Sequence, residues 1–100
     1  MHPGTKVEAR CAPRLRLEVD LNIYSQTAGL IPARTLDVSE SGISALLPVE
    51  LPLGQIVRME IRSRRDPVIV EAVLRNRNAF RHGFEFAQPA KGRELIRKFP

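Results

Sequence analysis

The chain has 100 residues, a net charge of +5, 43% apolar and 27% charged side chains, which describes one globular domain with a modest core and excludes global disorder. No apolar run approaches the roughly 18 residues that span a bilayer, so no membrane span is expected. A single cysteine, Cys11, excludes an intrachain disulfide, and with only His2 and His82 beside it a structural zinc site lacks ligands.

These counts lead to a cytoplasmic protein with no metal and no cofactor. The start, Met1 to Gly4, has no apolar segment of the signal-peptide kind. Thirteen of the sixteen basic residues are Arg, whose planar fork suits phosphate and the Hoogsteen edge of guanine. The charge is uneven, with net −1 over residues 1–50 and +6 over 51–100.

In chain order, residues 1–13 read as an extended arm containing Pro3, Gly4 and Pro13 and no apolar periodicity. Leu15, Leu17, Val19, Leu21 and Ile23 then alternate with polar residues, a strand with one buried face. Residues 24–32 read as a loop. Ala33 to Val38 forms a second strand, closed by a Ser-Glu-Ser-Gly turn, and Ile43, Ala45 and Leu47 alternate on a third. Val57, Met59 and Ile61 mark a fourth strand and Ser63 to Pro67 a hairpin loop. Val68 to Leu74 is a fifth strand whose apolar run predicts burial on both faces. Arg81 to Ala87 is a sixth, with Phe84 and Phe86 inward. The tail after Pro89 places Leu95, Ile96 and Phe99 on one helical face.

The pattern predicts a mainly β fold, a six-stranded antiparallel barrel over residues 14–88, with the arm at 1–13 and a short helix at 89–100. Closure removes the exposed edges that so small a sheet would otherwise carry.

Two local patterns carry chemistry. In the arm, Arg10-Cys-Ala-Pro-Arg14 offers two guanidinium groups that can bind phosphate, reach O6 and N7 of guanine, or stack on a purine. At the end of the second strand stands Asp37-Val-Ser39-Glu-Ser-Gly42. Strand alternation puts Asp37 and Ser39 on one face, with Leu36 and Val38 toward the core. A carboxylate there can accept from N1–H and N2–H₂ of guanine. Gly42 supplies backbone free of a Cβ, for positive φ or for close approach of a ligand. Each pattern alone also reads as ordinary structure: a hairpin turn in one case, solvated arginines in the other.

Arg-x-x-x-Arg before the first barrel strand, followed by Asp-x-Ser-x-x-Gly after the second, resembles the PilZ family in order, spacing and placement. Arg81-His-Gly-Phe-Glu-Phe86 is similar to that family's last barrel strand, and the resemblance spans residues 7 to 99. It implies a barrel that binds the second messenger cyclic di-GMP and is not an enzyme. By that pattern Arg10 and Arg14 engage guanine and phosphate, while Asp37, Ser39 and Gly42 engage the other guanine. The arm would then wrap the ligand and present a changed surface to a downstream protein partner. Many family members carry another Arg just before the first motif, where this chain has Ala9.

The competing reading is a small basic barrel that binds RNA, DNA or a protein without nucleotide, using Arg62, Arg64, Arg65, Arg75, Arg77 and Arg81. The aromatic platform for stacked bases is thin, with four Phe, one Tyr and no Trp, which weighs against nucleic acid. His82 and Cys11 have no catalytic partner in the sequence and read as bystanders, so no catalytic residue is assigned.

Overall fold

The computed structural model describes residues 13–99. The strands are β1 (Leu15–Arg16), β2 (Asp20–Ser25), β3 (Gly29–Val38), β4 (Gly42–Leu46), β5 (Ile56–Ile61), β6 (Val68–Asn78) and β7 (Arg81–Phe86). A helix, α1 (Pro89–Lys98), follows. Every pairing is antiparallel, in the order β1-β3-β2-β5-β6-β7-β4, and a β3–β4 pairing closes the sheet into a six-stranded barrel with β1 as an outlier on β3.

The core is the inward set of the alternating strands: Leu21, Ile23, Ile31, Ile43, Ala45, Val57, Met59, Ile61, Val70, Leu74 and Phe84, all buried. β6 departs from its expected burial on both faces. Val68, Val70, Ala72 and Leu74 are buried, but Ile69 and Glu71 between them are exposed, so only one face packs. A closed barrel has one interior, and a β6 side chain that points outward meets water.

The long strand expected over residues 15–23 is split. Between the pairs Arg16↔Asp37 and Asp20↔Arg34, three residues of one strand oppose two of β3. The hydroxyl of Thr35 fills that bulge, donating to the carbonyl of Leu17 and accepting from the amide of Val19 at 2.9 Å. Thr35 is fully buried, so these bonds satisfy backbone groups that water does not reach. β3 also begins earlier than expected, at Gly29, and Pro32 within it is exposed.

His82 is a structural residue. Its ring is fully buried, Nε2 accepts from the amide of Leu51 at 3.2 Å, and Nδ1 donates to the carbonyl of Phe80 at 3.0 Å. The ring therefore pins the β4–β5 connection to the start of β7.

Helix α1 starts with Pro89, whose missing N–H costs nothing at a helix start, and ends with Arg97 and Lys98, which suit the negative end of the helix dipole. Leu95 is fully buried, and Ile96 and Phe99 pack beside it on the core, as the helical spacing predicts. Gly92 lies against the β3–β4 turn, where a Cβ would stand 2.0 Å from the carbonyl oxygen of Glu40.

Candidate functional site

The site forms where β1, β3, β4 and β7 meet. β1 runs along β3 with Arg16 opposite Asp37, which brings Arg14 across the end of β3. Arg14 donates to Oδ1 of Asp37 from Nε at 2.9 Å and from Nη2 at 2.5 Å, and Nη2 also donates to Oγ of Ser44 at 3.1 Å. Two residues 23 apart in sequence thus form one unit. Asp37 has a second cation, since Arg81 Nη2 lies 3.4 Å from its Oδ2.

A second bulge aims the carboxylate. Thr35 pairs with Ala45 and Asp37 with Ser44, so Leu36 is an extra residue in β3. The alternation resets there, Val38 turns inward at 1% exposure, and Asp37 faces out.

Asp37 and Ser39 do not share a face as strand alternation predicts, because β3 ends between them, at Val38. Ser39 lies past the strand end and is 1% exposed. Its Oγ accepts from the amides of Ser41 at 3.2 Å and Gly42 at 3.3 Å, and its amide donates to the Gly42 carbonyl at 2.8 Å. In this structure the hydroxyl holds the turn.

Gly42 answers one of the alternatives open in the sequence. Its φ is not positive. A Cβ at this position would lie 2.2 Å from the carbonyl oxygen of Phe84, so glycine is required by the approach of β7. Arg10 lies outside the described residues.

Arg14 and Gly42 line an open cleft of about 410 Å³ together with Ser44, Arg75, Asn76, Arg81, Gly83 and Glu85. Arg75 pairs with Glu85 at 2.7 Å on its wall. Asn76 follows a bulge in β6 and lays its carboxamide over Gly83, where a Cβ would be 2.5 Å from Oδ1. The cleft thus presents three guanidinium groups, the Glu85 carboxylate, a buried hydroxyl and an amide, and the Asp37 carboxylate adjoins it through its bonds to Arg14 and Arg81. That set can bind an anion with its cations and a donor-rich edge, such as guanine N1–H and N2–H₂, with its carboxylates.

Of the predicted set, Arg14, Asp37 and Gly42 are brought together and Ser39 lies beneath them. Nothing in the sequence marks Ser44 as a site residue, and Arg81 stands there only as part of the last strand and the basic rim, not as a partner of Asp37. Both reach Asp37 or Arg14 across strands, and cross-strand register left no local signal for them.

The sequence matches the PilZ domain family over residues 8–99. The chain belongs to the PilZ family. No curated protein matches it in sequence. Among solved structures this PilZ domain is similar to that of CeSA from a cellulose-synthesizing bacterium, with TM-score 0.69, 16% identity, and coverage of 85% of this chain and 92% of that one. It is equally similar to the PilZ domain of YcgR from Escherichia coli, a structure with c-di-GMP, with TM-score 0.69, 20% identity, and coverage of 86% and 85%. The Bacillus subtilis inhibitor of motility, MotI/DgrA, gives TM-score 0.64 at 20% identity, over 86% of this chain and 49% of that one. These PilZ likenesses, all at or below 20% identity, speak to the fold. Among the described residues no helix is long and apolar enough to cross a membrane, and no group of three metal-ligating side chains occurs.

Proposed function

We propose that this chain is a cytoplasmic, non-enzymatic receptor for cyclic di-GMP. The observation that carries the reading is the Arg14–Asp37–Arg81 unit on the cleft, which joins the two sequence motifs in space. Family membership and the c-di-GMP complex of the similar YcgR domain support it.

In the free protein Asp37 holds the Arg14 guanidinium, so the fork is already oriented toward the cleft. A ligand phosphate competes for the outer face of Arg14, which is half exposed. Asp37, still backed by Arg81, then accepts from the Watson–Crick edge of a guanine. Gly42 lets β7 pack close beside the turn, and Ser39 keeps the turn in shape. Arg10 adds a second fork from the N-terminal segment. No cofactor is needed, because the ligand itself supplies both phosphate and base. Nucleic acid is disfavoured, since Phe84 and Phe86 are buried and cannot form a stacking platform.

The output would be a change in the segment before β1, read by a downstream protein. Binding should order residues 5–13, seen as new amide-exchange protection on saturation. Protection that is already present without ligand, or never gained, refutes this switch while leaving binding intact.

Calorimetric titration with cyclic di-GMP, with GMP as control, tests the main claim and returns the stoichiometry. A micromolar or tighter dissociation constant is expected, about −8 kcal/mol or better. No heat and no chemical-shift change at millimolar ligand would refute it.

A further inference from the structure

The cations are not used evenly. Arg14, Arg16, Arg34, Arg75, Arg77, Arg81 and Lys91 all have carboxylate partners. Arg58 lies over the Tyr24 ring at 4.7 Å. Among the described residues Arg62, Arg64, Arg65, Arg93, Arg97 and Lys98 have no such partner, and all of these except Arg93 line hollows at one end of the barrel. The β5–β6 hairpin brings three arginines against a single anion, Asp66. The last turn of α1 brings Arg97 and Lys98 beside it.

The two elements flank a concavity of about 560 Å³. Arg64 stands on one side and Arg97 and Lys98 on the other, with Leu17 and Phe99 beneath and Arg16, already paired with Glu18, at the rim. Arg64 and Lys98 also share an adjoining hollow with Arg65, and Arg64 and Arg65 share a third with Arg62. Like charges from distant parts of the chain therefore converge on one groove whose single lining carboxylate, Glu18, is already paired with Arg16, so Arg64, Arg97 and Lys98 are left without an offsetting anion. An oppositely charged occupant would relieve that repulsion.

The form of the groove selects among anionic partners. Its cations face inward over an apolar floor, which suits an extended chain better than the plane of a lipid surface. The side chains that could anchor in a bilayer, Leu30, Leu53, Ile56 and Phe80, are the most exposed large apolar residues and lie at the opposite end of the barrel. Exposed aromatic rings for nucleic acid bases are absent from the described part of the groove.

We propose that the groove between the β5–β6 hairpin and the end of α1 docks an extended acidic segment of a partner protein. The docking claim deepens the receptor reading by naming the partner's chemistry, and it rests on that reading only for its link to ligand. The link is β1: Arg16 at the groove rim lies opposite Asp37 in the strand ladder and is two residues from Arg14, so β1 runs from the messenger cleft to the groove. Coupling of this kind is reciprocal, each ligand strengthening or weakening the other by the same factor.

The test is fluorescence anisotropy with a labelled oligoglutamate peptide and the full chain. Arg64→Glu and the pair Arg64→Glu with Lys98→Glu are compared with Arg58→Glu, which matches the single variant's change in net charge outside the groove. Wild type and Arg58→Glu should bind, and the groove variants should lose affinity by about tenfold or more. Unchanged melting and unchanged calorimetric titration by cyclic di-GMP show that fold and messenger site are intact, so failure of docking is separable from failure of the receptor reading. Equal loss in Arg58→Glu would reduce the effect to net charge and overturn the proposal. So would binding of phosphatidylserine vesicles or single-stranded DNA, but not oligoglutamate, at the same groove.

Discussion

Replacing Arg14 by Ala separates what the fold needs from what the ligand needs. The side chain makes two bonds to Asp37 and one to Ser44. For the fold these are worth little. The guanidinium is 48% exposed, so solvent screens the pair and its contribution is under about 1 kcal/mol. Asp37 keeps Arg81, and Ser44, once uncovered, meets water. At about 4–8 °C per kcal/mol for a domain of this size, the melting midpoint should fall by less than about 8 °C. For the ligand the loss is larger. Bonds from a charged donor contribute about 1.5–3 kcal/mol, which is about tenfold to 150-fold in affinity. Titration calorimetry and thermal melting of the same preparation give both numbers. Arg14→Lys should melt near wild type yet bind weakly, because an ammonium keeps the charge and loses the fork. An affinity within about threefold of wild type in a well-folded Arg14→Ala protein would refute the reasoning, since that difference is under 1 kcal/mol.

Three substitutions test the geometry. Gly42→Ala should lower stability by about 1–3 kcal/mol or more in urea titration, because its Cβ meets the Phe84 carbonyl at 2.2 Å; an unchanged midpoint would mean that β4 and β7 separate freely. Gly92→Ala should also destabilise, by about 1–3 kcal/mol, although helix propensity alone predicts a gain of about 1 kcal/mol, so the sign of the change in midpoint decides whether the contact with Glu40 governs this position. Ala79 has φ of 57° at the tip of the β6–β7 hairpin. The left-handed region costs a non-glycine residue about 1–2 kcal/mol and glycine's chain entropy takes back about 0.5–1, so Ala79→Gly should raise stability by about 0.5–1 kcal/mol.

The barrel was legible because its signal is local. Alternation in Leu21–Ile23, Val57–Ile61 and Phe84–Phe86 states which face is inward without reference to any neighbour. The helix was legible for the same reason, from the spacing of Leu95, Ile96 and Phe99. The bulges were not. The extra residue opposite Thr35 and Leu36 is set by pairing between strands, and a period-two reading runs straight through it. That is why residues 15–23 read as one strand; Ser39 reads as sharing the face of Asp37 for a different reason, because alternation does not show that β3 ends at Val38. Arg81 reads as a rim charge in sequence for a related reason, since its tie to Asp37 spans 44 residues. Gly42 stands out in the sequence as a residue for positive φ or for a ligand's approach, but the neighbour that demands glycine, the Phe84 carbonyl, is visible only once β7 lies beside β4.

The turn at residues 39–42 is gripped from three directions. Ser39 Oγ holds two of its amides, the Phe84 carbonyl occupies the space beside Gly42, and Gly92 brings the helix against Glu40. A turn fixed in this way has little freedom to lose on binding, so its half of the site adds no large ordering cost. The opposite half is attached differently. β1 has two residues, held by the pairs Leu15↔Val38 and Arg16↔Asp37, and Leu15 is 42% exposed. Little buried apolar area secures it, which places it at the low end of local stability. A ligand that draws on both halves will therefore move the weaker one. The structural response to the messenger should begin at β1, which also carries Arg16 at the edge of the basic groove, while the turn stays in place. The rigid turn would then set which base is recognised, and the loosely held strand would carry the news of it to the partner surface.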